Sequence, residues 1–123
     1  MKFGDFLKES REAQGFSSYR QLEDETKIDH AYIWRLERGD NSNPSDNIIN
    51  ELSKTLRLTD RQKNIFKLLA EIEIPDPLFR LMLERTDISW DTFESTAKMS
   101  NRGKRPNTKE DWLEKVLLID ELL

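Results

Sequence analysis

Apolar residues recur at intervals of three and four through most of the 123-residue chain, with charged and polar residues between them. This spacing places the apolar side chains on one face of an α-helix. The chain lacks the alternating runs of Val, Ile and Thr that are typical of strands. The pattern therefore predicts an all-α protein, with five helices in an N-terminal domain and a C-terminal helical extension.

Capping residues and glycines mark where the five N-terminal helices begin and end. Gly15 can end the first helix, and a Ser-Tyr-Arg-Gln capping box that begins at Ser18 opens the second. Asp29 is an N-cap for the third helix, which Gly39 ends. The predicted helices span residues 3–14, 19–26 and 29–38, a fourth that follows Ser45, and a fifth from Thr59 to Ile72.

The segment Pro75–Pro77 is the clearest break in the helical pattern. Asp76 can cap a helix and Pro77 can occupy its first position, so a sixth helix is predicted to begin here. The break predicts two domains, one of residues 1–73 and one of residues 74–123. We expect the second domain to serve dimerisation or the binding of a partner.

Three helices are predicted in the C-terminal domain, and a basic segment lies between the last two. The sixth helix reaches Arg85, and Ser89 and Thr108 can cap the seventh and eighth. Residues 95–109 contain five basic residues and no acidic one, and we interpret them as a flexible loop. The loop is either a solvated linker or a set of contacts to a nucleic-acid backbone.

Composition excludes several classes of function. The chain has no cysteine and a single histidine, so neither a disulfide framework nor the usual zinc site is expected, and no cofactor is predicted. No apolar run is long enough to cross a bilayer, and the first ten residues include acidic ones that a secretory leader would lack. We therefore expect a cytoplasmic protein that does not bind membranes.

The net charge of −4 counts against nucleic-acid binding, because phosphates are neutralised by positive charge. The acidic excess lies mainly in residues 73–123, which have 8 basic and 11 acidic residues, whereas residues 1–72 have 12 and 13. A local basic patch matters more than the total charge. The N-terminal domain therefore remains a candidate for binding nucleic acid.

Only a short turn separates the second and third predicted helices. Apolar residues of both helices and of the turn can close one small core, and these are Leu22, Ile28, Ile33 and Leu36. Helical spacing leaves four residues on the opposite face of the third helix, namely His30, Ala31, Trp34 and Arg35. Two short helices joined in this way form a unit that places its second helix in the major groove of DNA.

A more specific pattern surrounds this unit. It consists of Leu7, Arg11, Gly15-Phe16-Ser17, Leu22, Thr26, Ile28, the run from Tyr32 to Gly39, and Pro44-Ser45. With these residues the segment from Phe3 to Leu58, nearly half of the chain, resembles the Xre family, the Cro and phage-repressor type of helix-turn-helix domain. The resemblance implies a five-helix repressor-like fold that binds double-stranded DNA. Glu23 and Lys27 depart from the small alanine and the turn glycine that are usual in the family.

The resemblance, together with side-chain chemistry, assigns DNA contacts to eleven residues. The predicted base-reading residues are His30, Ala31, Trp34 and Arg35. The predicted contacts to the DNA backbone are Ser18, Tyr19, Arg20, Tyr32, Arg38, Asn41 and Asn43. The resemblance also implies a buried ion pair between Arg11 and Glu37 that joins the first and third helices.

Each of these residues also has an interpretation that needs no DNA. Arg35 can pair with the edge of guanine, or it can form a phosphate contact or an ion pair with Glu23 or Asp29. His30 can donate to DNA or be a solvated side chain without a role. Trp34 can pack on DNA sugars or a thymine methyl, or it can fold against its own domain.

Three classes of function follow from the pattern. The first is a sequence-specific transcriptional regulator, a homodimeric repressor that inserts the helix of residues 29–38 in the major groove. The second is an antitoxin-like module whose C-terminal helices bind a partner protein and which regulates its own promoter. An enzyme is the weakest class, because no nucleophile–base–orienter set and no Gly-rich phosphate loop are found.

Overall fold

A computed structural model describes residues 1–40, 43–100 and 105–123, and these residues form eight helices and no strand. The predicted all-α fold is confirmed. The helices are α1 (Phe3–Ala13), α2 (Tyr19–Thr26), α3 (His30–Arg38), α4 (Asp46–Thr55), α5 (Asp60–Leu69), α6 (Asp76–Glu84), α7 (Trp90–Ser100) and α8 (Lys109–Leu122). None of the described helices is both long enough and apolar enough to span a membrane.

The contacts of the chain divide it into two compact units, which we describe separately. The N-terminal unit is Lys2–Glu73, and the C-terminal unit is Ile74–Leu123 together with Met1. In the N-terminal unit α1 packs on α3 and α5, while α2 packs on α3 and α4. Its core side chains are Phe6, Leu7, Leu22, Ile28, Ile33, Leu36, Ile49, Leu52, Leu56, Ile65, Phe66, Leu68 and Leu69.

Reciprocal side-chain caps begin α2 and α5 where the sequence predicts. The Ser18 hydroxyl accepts from the Gln21 backbone N–H at 3.2 Å, and the Gln21 side chain accepts in return from the Ser18 N–H. Thr59 forms the same reciprocal box at the start of α5. A cap satisfies backbone donors that have no partner inside the helix. It thereby fixes the first residue of each of these helices.

The structure corrects two predicted helix ends. The fifth helix does not reach Ile72 but ends at Leu69, after which the chain bends through a turn. The sixth begins one residue before the predicted first position, Pro77, because Asp76 is itself helical and Pro75 is the N-cap. The Asp76 carboxylate does not cap the helix; it pairs with the Met1 ammonium at 2.6 Å, and this ammonium lowers the pKa of Asp76.

The C-terminal unit consists of α6, α7 and α8 packed on one another. Its core contains Leu78, Leu81, Met82, Phe93, Trp112, Val116 and Ile119. The Thr92 hydroxyl of α7 donates to the Asp120 carboxylate of α8 at 2.7 Å, which joins these two helices. Several apolar side chains of this unit remain exposed, namely Leu83, Met99, Leu117, Leu118, Leu122 and Leu123.

The basic segment begins later than predicted. Residues 95–100 belong to the last turns of α7 and not to a loop, since α7 continues to Ser100. Lys109 is the first residue of α8, which the Thr108 hydroxyl caps by accepting from the Asp111 N–H at 3.1 Å. Arg102 and Lys104, which the loop prediction included, lie outside the described residues.

Candidate nucleic-acid interface

The α2–turn–α3 unit is held together by the four apolar residues that the sequence singled out. Leu22, Ile28, Ile33 and Leu36 are all at most 8% exposed. Lys27 makes the turn between the helices in the left-handed conformation, with φ of 64°. Lys27 therefore makes this turn in a conformation that is strained for a residue with a Cβ.

The inner edge of α3 is fixed to α1 by a buried ion pair. The Arg11 guanidinium donates to both Glu37 carboxylate oxygens, at 2.7 and 3.2 Å, and to the Phe16 carbonyl at 2.7 Å. The bond to the Glu37 carboxylate raises the pKa of Arg11. The expected Arg11–Glu37 pair is thus present, and it joins α3 to α1.

Tyr19 belongs to the same cluster. Its hydroxyl donates to the Glu37 carboxylate at 3.1 Å, and the Arg11 guanidinium lies 4.6 Å from the centre of its ring. Burial, followed by the charge of Glu37, raises the pKa of Tyr19. Sequence reasoning assigned Tyr19 to the DNA backbone, but its hydroxyl could donate to a phosphate only by leaving Glu37.

The opposite face of α3 carries the predicted base-reading residues. Arg35 is exposed and forms no hydrogen bond or ion pair with any described residue, so the expected alternative pairing with Glu23 or Asp29 is absent. Ala31 is half-buried one turn earlier on the same face. Arg35 is therefore the free cation of this face within the part of the chain that the structure describes.

Trp34 is 41% exposed and is covered in part by a cation from the next turn. The Arg38 guanidinium lies 4.4 Å from the centre of the Trp34 ring, and it also pairs with the exposed Asp40 carboxylate at 3.2 Å. Among the described residues, the ring contact of Trp34 is therefore with its own helix. Trp34 and Arg38 form a cation–π pair on the surface of α3.

Two carboxylates hold His30 at the start of α3. The Glu23 carboxylate accepts from the His30 backbone N–H at 2.7 Å and lies 2.8 Å from its ring Nδ1. The Asp29 carboxylate, which caps α3, is 3.3 Å from the same ring nitrogen. The hydrogen bonds from His30, the backbone one first, lower the pKa of Glu23. The sequence suggested Glu23 as a departure from the family pattern and as an alternative partner of Arg35, whereas its contact with His30 was not predicted.

The three side chains of this cluster are also of the types that can bind a metal ion. Ligand atoms of Glu23, Asp29 and His30 lie within 4.8 Å of one another. One oxygen of each carboxylate already accepts from a backbone N–H at the start of α3. These hydrogen bonds account for the arrangement as a helix cap, and no metal is needed to explain it.

The residues predicted to contact the DNA backbone lie around α2 and α3. Arg20 is exposed, Tyr32 is half-buried, and Ser18 is engaged as the cap of α2. Asn43 is exposed and has a positive φ of 63°, a conformation that asparagine tolerates. Asn41 lies outside the described residues.

Comparison with protein families matches residues 2–64 to the family described as helix-turn-helix domain. The match covers α1 to α4 and the first half of α5. Because it spans half of the chain, the protein belongs to the helix-turn-helix domain family, whose members are typically DNA-binding and non-enzymatic. No curated protein matches the chain.

Proposed function

We propose that the protein is a sequence-specific transcriptional regulator that inserts α3 into the major groove of DNA. The observation that carries the proposal is the division of α3 into two faces. One face is fixed by Ile33, Leu36 and the Arg11–Glu37 pair, and the other presents the unpaired Arg35 to solvent. A helix that is held rigidly and exposes a free cation is suited to reading base edges.

Within this function, Arg35 is the residue that we expect to read a base. Its guanidinium can donate two hydrogen bonds to the O6 and N7 atoms of guanine, which discriminates by about 1–3 kcal/mol against another base. Trp34 supplies an apolar surface for a thymine methyl or a sugar, and Ala31 allows close approach beside it. His30 offers its second ring nitrogen, Nε2, to a base.

We assign the contacts to phosphate to the residues that surround α3. Arg20 and Tyr32 carry donors at the surface, and Asn43 lies beyond the end of α3. Arg38 pairs with Asp40 through its Nε, which leaves the terminal N–H groups of its guanidinium to donate to a phosphate. Ser18 and Asn41 remain predictions, and we rank Tyr19 last because its hydroxyl is already bound to Glu37.

Selection of preferred sequences from a random DNA pool tests this function. The wild-type protein should enrich a defined sequence, and Arg35→Ala should lose preference at one base pair while keeping the others. Lys63→Ala removes the same charge from an exposed position on α5 and should keep the full preference. If the wild-type protein binds all sequences equally at moderate salt, the proposal is wrong.

We further propose that the protein acts in the cytoplasm as a homodimeric repressor, with the units divided near residue 73 serving as separate functional domains. A single α3 contacts few base pairs, and two-fold dimers on half-sites about one helical turn apart extend the contact. The exposed leucines of α8 support an association of this kind. Footprinting should show two protected half-sites separated by about 10 base pairs.

The second candidate function is the antitoxin-like one, in which the C-terminal unit binds a partner protein. The outer surface of α8 favours it, because Leu117 and Leu118 are exposed beside Glu114 and Glu121. The two lysines of α8 do not balance its five acidic residues, and one of them, Lys109, already pairs with Glu84 of α6. Copurification of a second protein from the native host distinguishes this function from simple dimerisation, and Leu118→Glu should release that protein.

A further inference from the structure

The His30 ring is oriented by a residue of the preceding helix. Glu23 precedes His30 by seven positions and yet accepts from its backbone N–H and lies 2.8 Å from its ring Nδ1. Asp29 approaches the same nitrogen. An ionised carboxylate can only accept a hydrogen bond, so Nδ1 must be the nitrogen that carries a proton.

The other ring nitrogen is left for an external partner. Nε2 of His30 forms no hydrogen bond with any described residue, and the His30 side chain is 37% exposed. When Nδ1 carries the only proton, Nε2 of a neutral imidazole has a lone pair and accepts. His30 lies one turn before Trp34, so this acceptor belongs to the face of α3 that we propose to enter the groove.

We propose that Glu23 is a positioning residue for base reading, which holds the His30 ring so that the acceptor Nε2 meets the base edges. This inference rests on the proposed insertion of α3 into the major groove. It also names the class of base that is read. In the major groove the amino groups of adenine and cytosine donate, whereas guanine offers only acceptors and thymine offers an acceptor and a methyl group. The neutral His30 ring should therefore select adenine or cytosine on the strand that it contacts.

Nitrogen-15 NMR of the DNA-free protein tests the positioning step. His30 is the only histidine of the sequence, so its two ring nitrogens are observed without overlap. At about pH 8.5 the experiment observes the neutral imidazole, and the wild-type ring should carry its proton on Nδ1. An unrestrained histidine side chain favours the proton on Nε2. Glu23→Ala should shift the ring toward that form, and Glu23→Gln, whose amide oxygen still accepts, should preserve the wild-type form.

Asp24→Ala is the matched control for the NMR experiment. It removes the same charge from the neighbouring exposed position of α2 and should leave the ring signals unchanged. Circular dichroism and thermal melts verify that each variant is folded. A proton on Nε2 in the wild-type ring would overturn the proposal. An unchanged ring in Glu23→Ala would overturn it as well, since Asp29 would then be the residue that holds the ring.

DNA selection at about pH 8.5 tests the reading step separately. Glu23→Ala and His30→Ala should lose the preference for adenine or cytosine at the same base pair, by about threefold to tenfold, while Glu23→Gln retains it. Asp24→Ala should change affinity equally for all sequences. If Glu23→Ala keeps the wild-type base preference, the reading step is wrong. If the wild-type protein prefers no sequence, the proposed function fails, and the NMR result still decides whether Glu23 positions His30.

Discussion

The Arg11–Glu37 pair is the residue-scale interaction on which the orientation of α3 depends most. Both side chains are nearly buried, at 7% and 5% exposed, and each forms a further hydrogen bond, Glu37 with the Tyr19 hydroxyl and Arg11 with the Phe16 carbonyl. A buried ion pair adds little to the free energy of unfolding compared with a well-packed apolar pair. A buried charge that loses its partner, in contrast, lowers the free energy of unfolding strongly. The main effect of the pair is therefore to fix the relative orientation of α1 and α3, and its contribution to the free energy of unfolding is secondary.

Arg11→Ala should lower the free energy of unfolding by about 3–5 kcal/mol, because it leaves the Glu37 carboxylate buried without its cation. Chemical denaturation followed by circular dichroism measures the loss. Arg38→Ala is the control, since Arg38 is 54% exposed and its pairing with Asp40 should be worth at most about 1 kcal/mol. Equal losses in the two variants would contradict the structural role of the buried pair.

Tyr19 provides a pH-dependent test of the same cluster. Its pKa is raised by burial and by Glu37, so the protonated phenol contributes stability that is complete below the unfolded value of about 10. That stability is lost as the pH rises through the folded pKa. Ultraviolet titration of the wild type minus Tyr19→Phe should give a midpoint above about 10. A midpoint at the ordinary tyrosine value would mean that the Tyr19 hydroxyl is not bound to Glu37.

Sequence reasoning at the residue scale succeeded for buried residues and was weaker for exposed ones. Leu22 and Ile33 were predicted correctly because helical spacing determines which side chains face the core. The pairing of Glu23 with His30 was missed because it joins two helices across the turn, at a distance in the chain that no single-helix pattern contains. Arg38 over Trp34 was missed although the spacing of four residues could have indicated it.

At the scale of elements, the short turn between α2 and α3 determines the direction in which α3 leaves α2. Lys27 ends α2 in the left-handed conformation, and Asp29 begins α3 two residues later. The sequence predicted these helices with nearly correct bounds, because both ends carry capping residues. It was wrong about the end of the fifth helix and the extent of the seventh. The residues that follow Leu69, from Ala70 to Ile72, have adequate helix propensity, so the sequence alone does not mark the end of the fifth helix.

Lys27→Gly should raise the free energy of unfolding by about 0.5–1 kcal/mol, because glycine adopts the observed φ of 64° without the strain of a Cβ. The matched control is Lys8→Gly, which places the same substitution at an exposed position inside α1 and should destabilise by about 1 kcal/mol. Thermal melts of both variants should show a higher melting temperature for Lys27→Gly and a lower one for Lys8→Gly. A loss of stability in Lys27→Gly would show that the lysine side chain contributes more than its backbone costs.

The approach of α1 to α3 depends on one glycine that the sequence did not single out. A Cβ at Gly4 would lie 2.1 Å from the Glu37 carbonyl oxygen, which is backbone and cannot move aside cheaply. A glycine inside a helix ordinarily lowers its stability. Here Gly4 allows the two helices to approach closely beside the Arg11–Glu37 pair, and only the three-dimensional packing reveals this.

At the scale of the whole molecule, the chain combines a DNA-binding class of domain with a helical unit whose surface is acidic and partly apolar. The acidic excess of the C-terminal residues accounts for most of the negative net charge, so the total charge says little about α3. The large exposed apolar side chains of α8, Leu118 at 58% and Leu122 at 83%, are unusual for an isolated surface helix. We therefore expect association to depend on the C-terminal unit and base preference on the N-terminal one.

A shortened chain that ends at residue 73 tests whether base preference depends on the N-terminal unit and association on the C-terminal one. It retains all five helices and the core of the N-terminal unit, so it should unfold cooperatively and enrich the same bases in a DNA selection. Its affinity for a full site should fall, because one half-site no longer benefits from the effective concentration that a dimer provides.

Sedimentation of the full chain should show a dimer that Leu118→Glu weakens. Lys63→Ala, which alters the other unit, should leave the dimer unchanged. A shortened chain that still dimerises and binds the full site with unchanged affinity would place the association surface in the N-terminal unit instead.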